Sequence, residues 1–255
     1  MFSLTRLRRW LTQRILHRKR IPLPLWRQVI EQQPLLSQLD KREAHRLRRL
    51  ASLFLHQKSL VGAGGLELDD FMRVTIAAQA CLLVLNLDLD YYEGWSEIIV
   101  YPGAFLAPHR QQDEAGVVSE GMHGLSGESW GRGPAILSWD DIEHPRQGSS
   151  VVLHEFAHKL DFLDGAANGI PSLHSGVVRE RWTEDFTEAY NDLHRRLERR
   201  HQPAIDPYAA ESPAEFFAVV TEVFFQDPQR LHANYPVVYD EMRRFYRQDP
   251  LARSE

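Results

Sequence analysis

The sequence predicts an α+β fold, rich in helix, with a small mixed sheet beside one central helix. Three observations carry this. Segments of helical length and period recur along most of the chain. Only two runs, Glu97–Tyr101 and Ala135–Trp139, have the β-branched and aromatic make-up of strands. The uninterrupted apolar helix read at about 149–163 follows the second of them closely.

The elements follow in order. Leu4, Leu7, Trp10, Leu11 and Ile15 recur among Arg6, Arg8, Arg9, Arg14, Arg18, Lys19 and Arg20, so residues 4–20 read as a basic amphipathic helix. Ile21-Pro22-Leu23-Pro24 breaks it. Helices at about 24–31 and 40–57 follow, then the connector Gly62-Ala63-Gly64-Gly65. Leu68-Asp69-Asp70 opens a helix at about 70–86, its first-turn carboxylates facing the positive end of the helix dipole. The strand Glu97–Tyr101 stops at Pro102-Gly103, and the polar, Gly-rich stretch 109–134 reads as loop with room for a hairpin. Asp140-Asp141 ends the second strand, and Gly165-Ala166-Ala167-Asn168-Gly169 ends the central helix. Helices at about 177–200, 213–225 and 236–247 complete the chain. A basic helical lobe, 1–58, and a larger unit, 59–255, are the expected division.

A chain of 255 residues with 43% hydrophobic content can bury a large core. Its one cysteine, Cys81, allows no internal disulfide and no Cys-rich zinc site; amid Ile76–Leu85 it reads as a small buried hydrophobe. The longest apolar stretch, Val74 to Leu87, is shorter than the ~20 residues a membrane span needs. No signal peptide is visible, and a cytoplasmic location is expected. Residues 1–58 hold 14 Lys and Arg against 3 Asp and Glu, whereas residues 59–255 hold 16 against 32. That asymmetry fits a basic arm leaning on the acidic body or meeting a charged partner. Direct nucleic-acid binding is not expected, because residues 1–20 offer only Phe2 and Trp10 for stacking and no reading motif.

The chemistry centres on His154-Glu155-Phe156-Ala157-His158. Residues four apart share a helix face, so His154 and His158 can point two imidazoles at one metal ion. Zinc takes such ligands and keeps a position open for water in catalytic sites. Glu155 lies beside that water and can take its proton. The flanking Val151, Val152, Leu153, Phe156, Ala157 and Leu160 bury the helix, and a buried His-Glu-His cluster without a partner would cost several kcal/mol.

A third ligand is needed. Asp161, on the same face, is expected to accept a hydrogen bond from a ligand imidazole. Ser212-Pro213-Ala214-Glu215 reads locally as an N-cap, a proline at N1 and a capping-box glutamate. Glu211 and Glu222 compete as ligands, and Glu222, seven residues after Glu215, also suits a partner to a ligand. No motif captures a free N-terminal amine; Glu128 and Asp141 are the candidates, and each reads equally as a loop or turn residue.

Leu153–Asp161, with Tyr208 seven residues before Glu215-Phe216-Phe217, resembles the Mlc titration factor A (DgsA anti-repressor) family of zinc peptidases. The resemblance extends to Ile76–Leu82, Ile99–Phe105, Leu125–Trp130 and Leu137–Trp139, and is weakest over the basic arm. The ligand segment is also similar to the anthrax lethal factor catalytic domain. The resemblance implies a gluzincin-like metallopeptidase core with one zinc ion per chain, held by His154, His158 and Glu215. It implies Glu155 as general base and Tyr208 as oxyanion stabiliser, with Asp161 and Glu222 supporting the ligands. It further implies aminopeptidase-like hydrolysis of short peptides, and binding of the glucose repressor Mlc that relieves repression of sugar-uptake genes. The alternative is a non-catalytic anti-repressor with a structural or regulatory zinc. In gluzincin-type enzymes a strand at the cleft's edge binds extended substrate, a role open to Ala135–Trp139.

Overall fold

The computed structural model describes residues 4–103, 133–146 and 148–253, with side chains from residue 12 onward. The expected loop and hairpin at 109–134 lie almost wholly outside the described residues, as does Glu128. The basic amphipathic segment forms α1 (Leu4–Lys19). After it come α2 (Leu23–Gln32), the single turn α3 (Pro34–Ser37) and α4 (Lys41–Gln57). A full capping box starts α4: Asp40 Oδ1 accepts from the Arg42 and Glu43 amides, and Glu43 accepts from the Asp40 amide.

Ser59–Gly62, read from sequence partly as connector, is a strand, β1. It pairs in parallel with β2 (Glu97–Tyr101), Leu60 opposite Ile98, and β2 pairs in parallel with β3 (Ala135–Ser138), Ile98 opposite Ala135. The described sheet is therefore parallel, not mixed. Its order is β1-β2-β3, and parallel neighbours need long crossovers. The helix α5 (Asp70–Leu83) supplies the first of these. Buried along nearly its whole length, α5 holds Cys81 at 0% exposure, where burial pushes the thiol well above its usual range. Leu60, Ile98, Val100, Ala135 and Leu137 form the buried face of the sheet, and their alternating neighbours Val61 and Ile136 stay half-exposed.

Trp139 starts a short helix, α6 (Trp139–Glu143), instead of ending the strand. The central helix, α7 (Val151–Asp161), is followed by α8 (Arg179–Glu198), α9 (Pro213–Gln226), α10 (Pro228–Asn234) and α11 (Pro236–Tyr246). Gly165, at φ +94°, turns the chain after α7, where the sequence placed the stop.

Two aromatic groups hold α7 and α9 in place. Phe156 of α7 packs against Phe54 of α4, Tyr92 and Trp95, with ring centroids 5.2–5.7 Å apart. Phe217 of α9 packs against Trp182 of α8 and Phe245 of α11. Such rings bury large areas and prefer the tilted and edge-on arrangements found here. The core thus runs from the N-terminal helices through α7 to the C-terminal helices, with the chemical motif at its centre. No described helix is long and apolar enough to cross a membrane.

Candidate metal centre

Ser150 caps α7, its Oγ accepting from the Leu153 amide. Val152, Leu153, Phe156, Ala157 and Leu160 face the core. That fixes the helix's rotation and leaves His154 and His158 on the remaining face, ring centroids 4.8 Å apart. Their Nε2 atoms are 3.2 Å from each other.

Glu215 comes from the first turn of α9. Ser212 Oγ accepts from its backbone amide at 3.1 Å, as the capping reading requires. Only half of a capping box forms, because the Glu215 carboxylate turns away to the histidines. Its Oε2 lies 3.0 Å from His154 Nε2 and 3.4 Å from His158 Nε2. The backbone serves the cap while the side chain serves the site, so the two sequence readings of Glu215 are compatible. Glu211, a rival candidate, ends the preceding turn and is exposed.

These three atoms test whether a metal fits. A four-coordinate ion with bonds of about 2.0–2.1 Å has ligand atoms about 3.3–3.4 Å apart. The observed separations of 3.0, 3.2 and 3.4 Å are close to that figure. Glu215 Oε2 is buried and has no hydrogen-bond partner of proper geometry despite its nearness to both rings. A buried carboxylate oxygen in that state lacks a positive charge in front of it. Among the described residues, His154, His158 and Glu215 are the group able to hold a metal ion.

Electrostatics agree with the geometry. Burial disfavours a charged His154, but the carboxylates of Glu215 and Glu222 outweigh it and push the ring's pKa up to about 10. Burial likewise opposes charge on Glu215, yet the two histidines hold its carboxyl far below the usual range. The site draws a proton into the place where a cation would sit, and metal and proton compete for the same nitrogens.

Glu222, one and a half turns further along α9, accepts from the rest of this centre. Its Oε1 lies 2.8 Å from His154 Nδ1, and its Oε2 takes the Ser150 amide at 2.6 Å. This is the supporting carboxylate the sequence allowed for. With Nδ1 bonded, Nε2 is left to face the site. Asp161 is placed differently: its Oδ2 accepts from the Gly169 amide at 2.8 Å, and no ligand imidazole bonds to it. Asp141 sits in the first turn of α6, where the Ser138 hydroxyl accepts from its amide.

Glu155 is half-buried beside the histidines. Burial raises its pKa, with His154 and His158 pulling the other way. Tyr208 lies on the short turn Pro207–Ala210, whose start Asp206 caps. Its ring centroid is 6.0 Å from that of His154, and it is 38% exposed, open to a ligand. Burial and the charges of Glu215, Glu155 and Glu211 push the phenol up to about 12, so it stays a donor at neutral pH. The hydroxyl of Tyr190 anchors this turn by donating to the Ala210 carbonyl at 3.0 Å, a contact between distant segments that no local sequence signal marks.

With that geometry in view, likeness to known proteins becomes specific. The family model described as Glucose-regulated metallo-peptidase M90 matches residues 7–247. The chain belongs to the M90 metallopeptidase family. The matched span includes α7 and Glu215, so the family resemblance covers all three atoms of the candidate centre. Among M90 relatives, Mlc titration factor A of Serratia proteamaculans is 40% identical over 225 residues, covering 86% of each chain. Mlc titration factor A of Escherichia coli is 36% identical over 249 residues, covering 96% of this chain and 92% of its own. An uncharacterised protein of Synechocystis is 39% identical over 234 residues, covering 89% of this chain and 85% of its own.

Proposed function

We propose that the chain is a zinc-dependent peptidase that hydrolyses short peptides in aminopeptidase fashion. The observation that supports this most is the convergence of two imidazole nitrogens and one carboxylate oxygen within 3.4 Å of one another, with Glu155 alongside. His154, His158 and Glu215 would hold the ion. Two nitrogens and one oxygen suit zinc, which when bound supplies a Lewis acid that polarises a carbonyl and acidifies water.

The chain's own residues supply the rest. Glu155 takes the proton of the attacking water on its carboxylate and passes it to the departing amine nitrogen. Its raised pKa favours that transfer. Tyr208 donates from its hydroxyl to the carbonyl oxygen as negative charge grows there, worth a few kcal/mol in the transition state. Glu222 keeps His154 oriented through Nδ1. The strand β3 ends the described sheet order, so its free edge can pair with an extended peptide.

The printed name of the relatives adds a partner. We infer that the chain also binds the glucose repressor Mlc and so relieves repression of sugar-uptake genes, in the cytoplasm where such a repressor acts. The experiment is metal content and peptide cleavage of wild type and Glu155→Gln side by side, with Mlc binding measured on both. The expected result is one zinc in each and cleavage by wild type alone. Zinc in both and cleavage by neither, across a broad peptide library, would leave repressor binding as the activity and the metal as structural. Absence of zinc from both would sink the metal reading.

A further inference from the structure

Beneath the candidate centre lies a second junction of the same two helices. Asp161 is three residues after His158 and seven after His154, on the same face of α7. It is fully buried. Its Oδ2 takes the Gly169 amide, and its Oδ1 has no hydrogen-bond partner among the described residues. A carboxylate buried with so few partners is a costly way to end a helix. Its cost points to a role beyond helix termination.

Gly169 touches three elements through its backbone. Its N–H bonds to Asp161 of α7. Its carbonyl accepts from Trp182 Nε1 of α8 at 3.0 Å. Its Cα side abuts the first residue of α9 so closely that a Cβ there would lie 2.5 Å from the Pro213 carbonyl oxygen. A φ of +78° makes glycine the fitting residue on conformational grounds as well. Pro213 stands two residues before Glu215, and the Ser212–Glu215 cap makes that turn stiff.

We propose that Asp161 and Gly169 form a positioning clamp that fixes the distance between the histidine pair and Glu215, and thereby sets metal affinity. The proposal rests on the reading of those three residues as metal ligands. Metal bonds tolerate errors of only about 0.2 Å. Displacing Pro213 by more than that moves Glu215 out of register with α7. The clamp touches neither the metal nor a substrate and acts only through the spacing.

The test is zinc affinity of the full-length chain, by competition with a chromophoric chelator. Wild type is compared with Gly169→Ala, Asp161→Ala, Asp161→Asn and Val238→Ala, folding being checked by circular dichroism. Gly169→Ala and Asp161→Ala are expected to bind zinc about 10–100-fold more weakly. Asp161→Asn keeps an oxygen for the Gly169 amide and is expected to stay within about threefold of wild type. Val238→Ala trims the core far from the clamp, and should lower the melting temperature while leaving affinity unchanged. Folded Gly169→Ala and Asp161→Ala chains with wild-type affinity would overturn the clamp while the ligand reading survives. An Asp161→Asn chain as weak as Asp161→Ala would also overturn it. Should Gly169→Ala not fold, the two Asp161 variants decide. A wild type that takes up no zinc overturns the ligand reading, and the clamp with it.

Discussion

Glu222 joins the ring of His154 to the first turn of that histidine's own helix through its two oxygens. Glutamine in its place keeps the shape but loses the charge. One of its polar atoms becomes a donor, facing either the Ser150 amide or the His154 ring. Glu222→Gln is therefore expected to weaken zinc binding by about 10–100-fold, read by chelator competition. Unchanged affinity would reduce Glu222 to a helix cap. The residues of the centre differ in how legible they were. His154 and His158 were readable because four-residue spacing on one helix is a local fact. Glu215 was ambiguous because the same residue satisfies a local cap and a distant ligand demand, and only the direction of its side chain separates them. Asp161 was misdirected towards an imidazole, since nothing local reveals that Gly169, eight residues on, folds back to meet it.

At the scale of elements, the first turn of α9 carries two loads. Ser212 Oγ closes the helix end, and the amide it bonds belongs to Glu215. Ser212→Ala should cost about 1 kcal/mol of stability, seen as a lower urea midpoint. It should also weaken zinc retention, because the turn that aims the carboxylate is loosened. A stability loss with intact zinc affinity would show that Pro213 and the packing of Phe216 and Phe217 hold the turn unaided. Long helices with an apolar stripe were legible in sequence because their period repeats over several turns. The pairs missed were short: β1, α3, α6 and α10 each span 4–7 residues. A strand such as Ser59–Gly62 exists by virtue of its bonds to β2, almost forty residues away, and four residues carry too little period to announce it.

At the scale of the molecule, the helix-rich α+β class followed from composition and period, whereas strand direction did not. Parallel pairing depends on how residues 63–96 cross over, and α5 reads as a helix whichever way the chain returns. The same packing has a consequence for stability. The ammonium of Lys58, at the junction of α4 and β1, is buried against the Trp95 ring, 3.9 Å from its centroid, and donates to the Tyr92 and Trp95 carbonyls. Burial, then the nearby Lys159, lower its pKa from 10.5 to about 8, with Glu93 opposing. Between those two values the unfolded chain holds more protons at Lys58 than the folded chain does. Stability from this group therefore rises as pH rises through that window, and the penalty is fully present below it. The urea midpoint of wild type is expected to climb between pH 8 and about 9.5, before the tyrosines ionise. Lys58→Met removes the titrating group and leaves two carbonyls short of a donor, so it should start lower and climb less. Equal slopes for the two proteins would mean that Lys58 is neutral when folded, or charged at no penalty, and that α4 and β1 meet without the electrostatic strain their buried lysine implies.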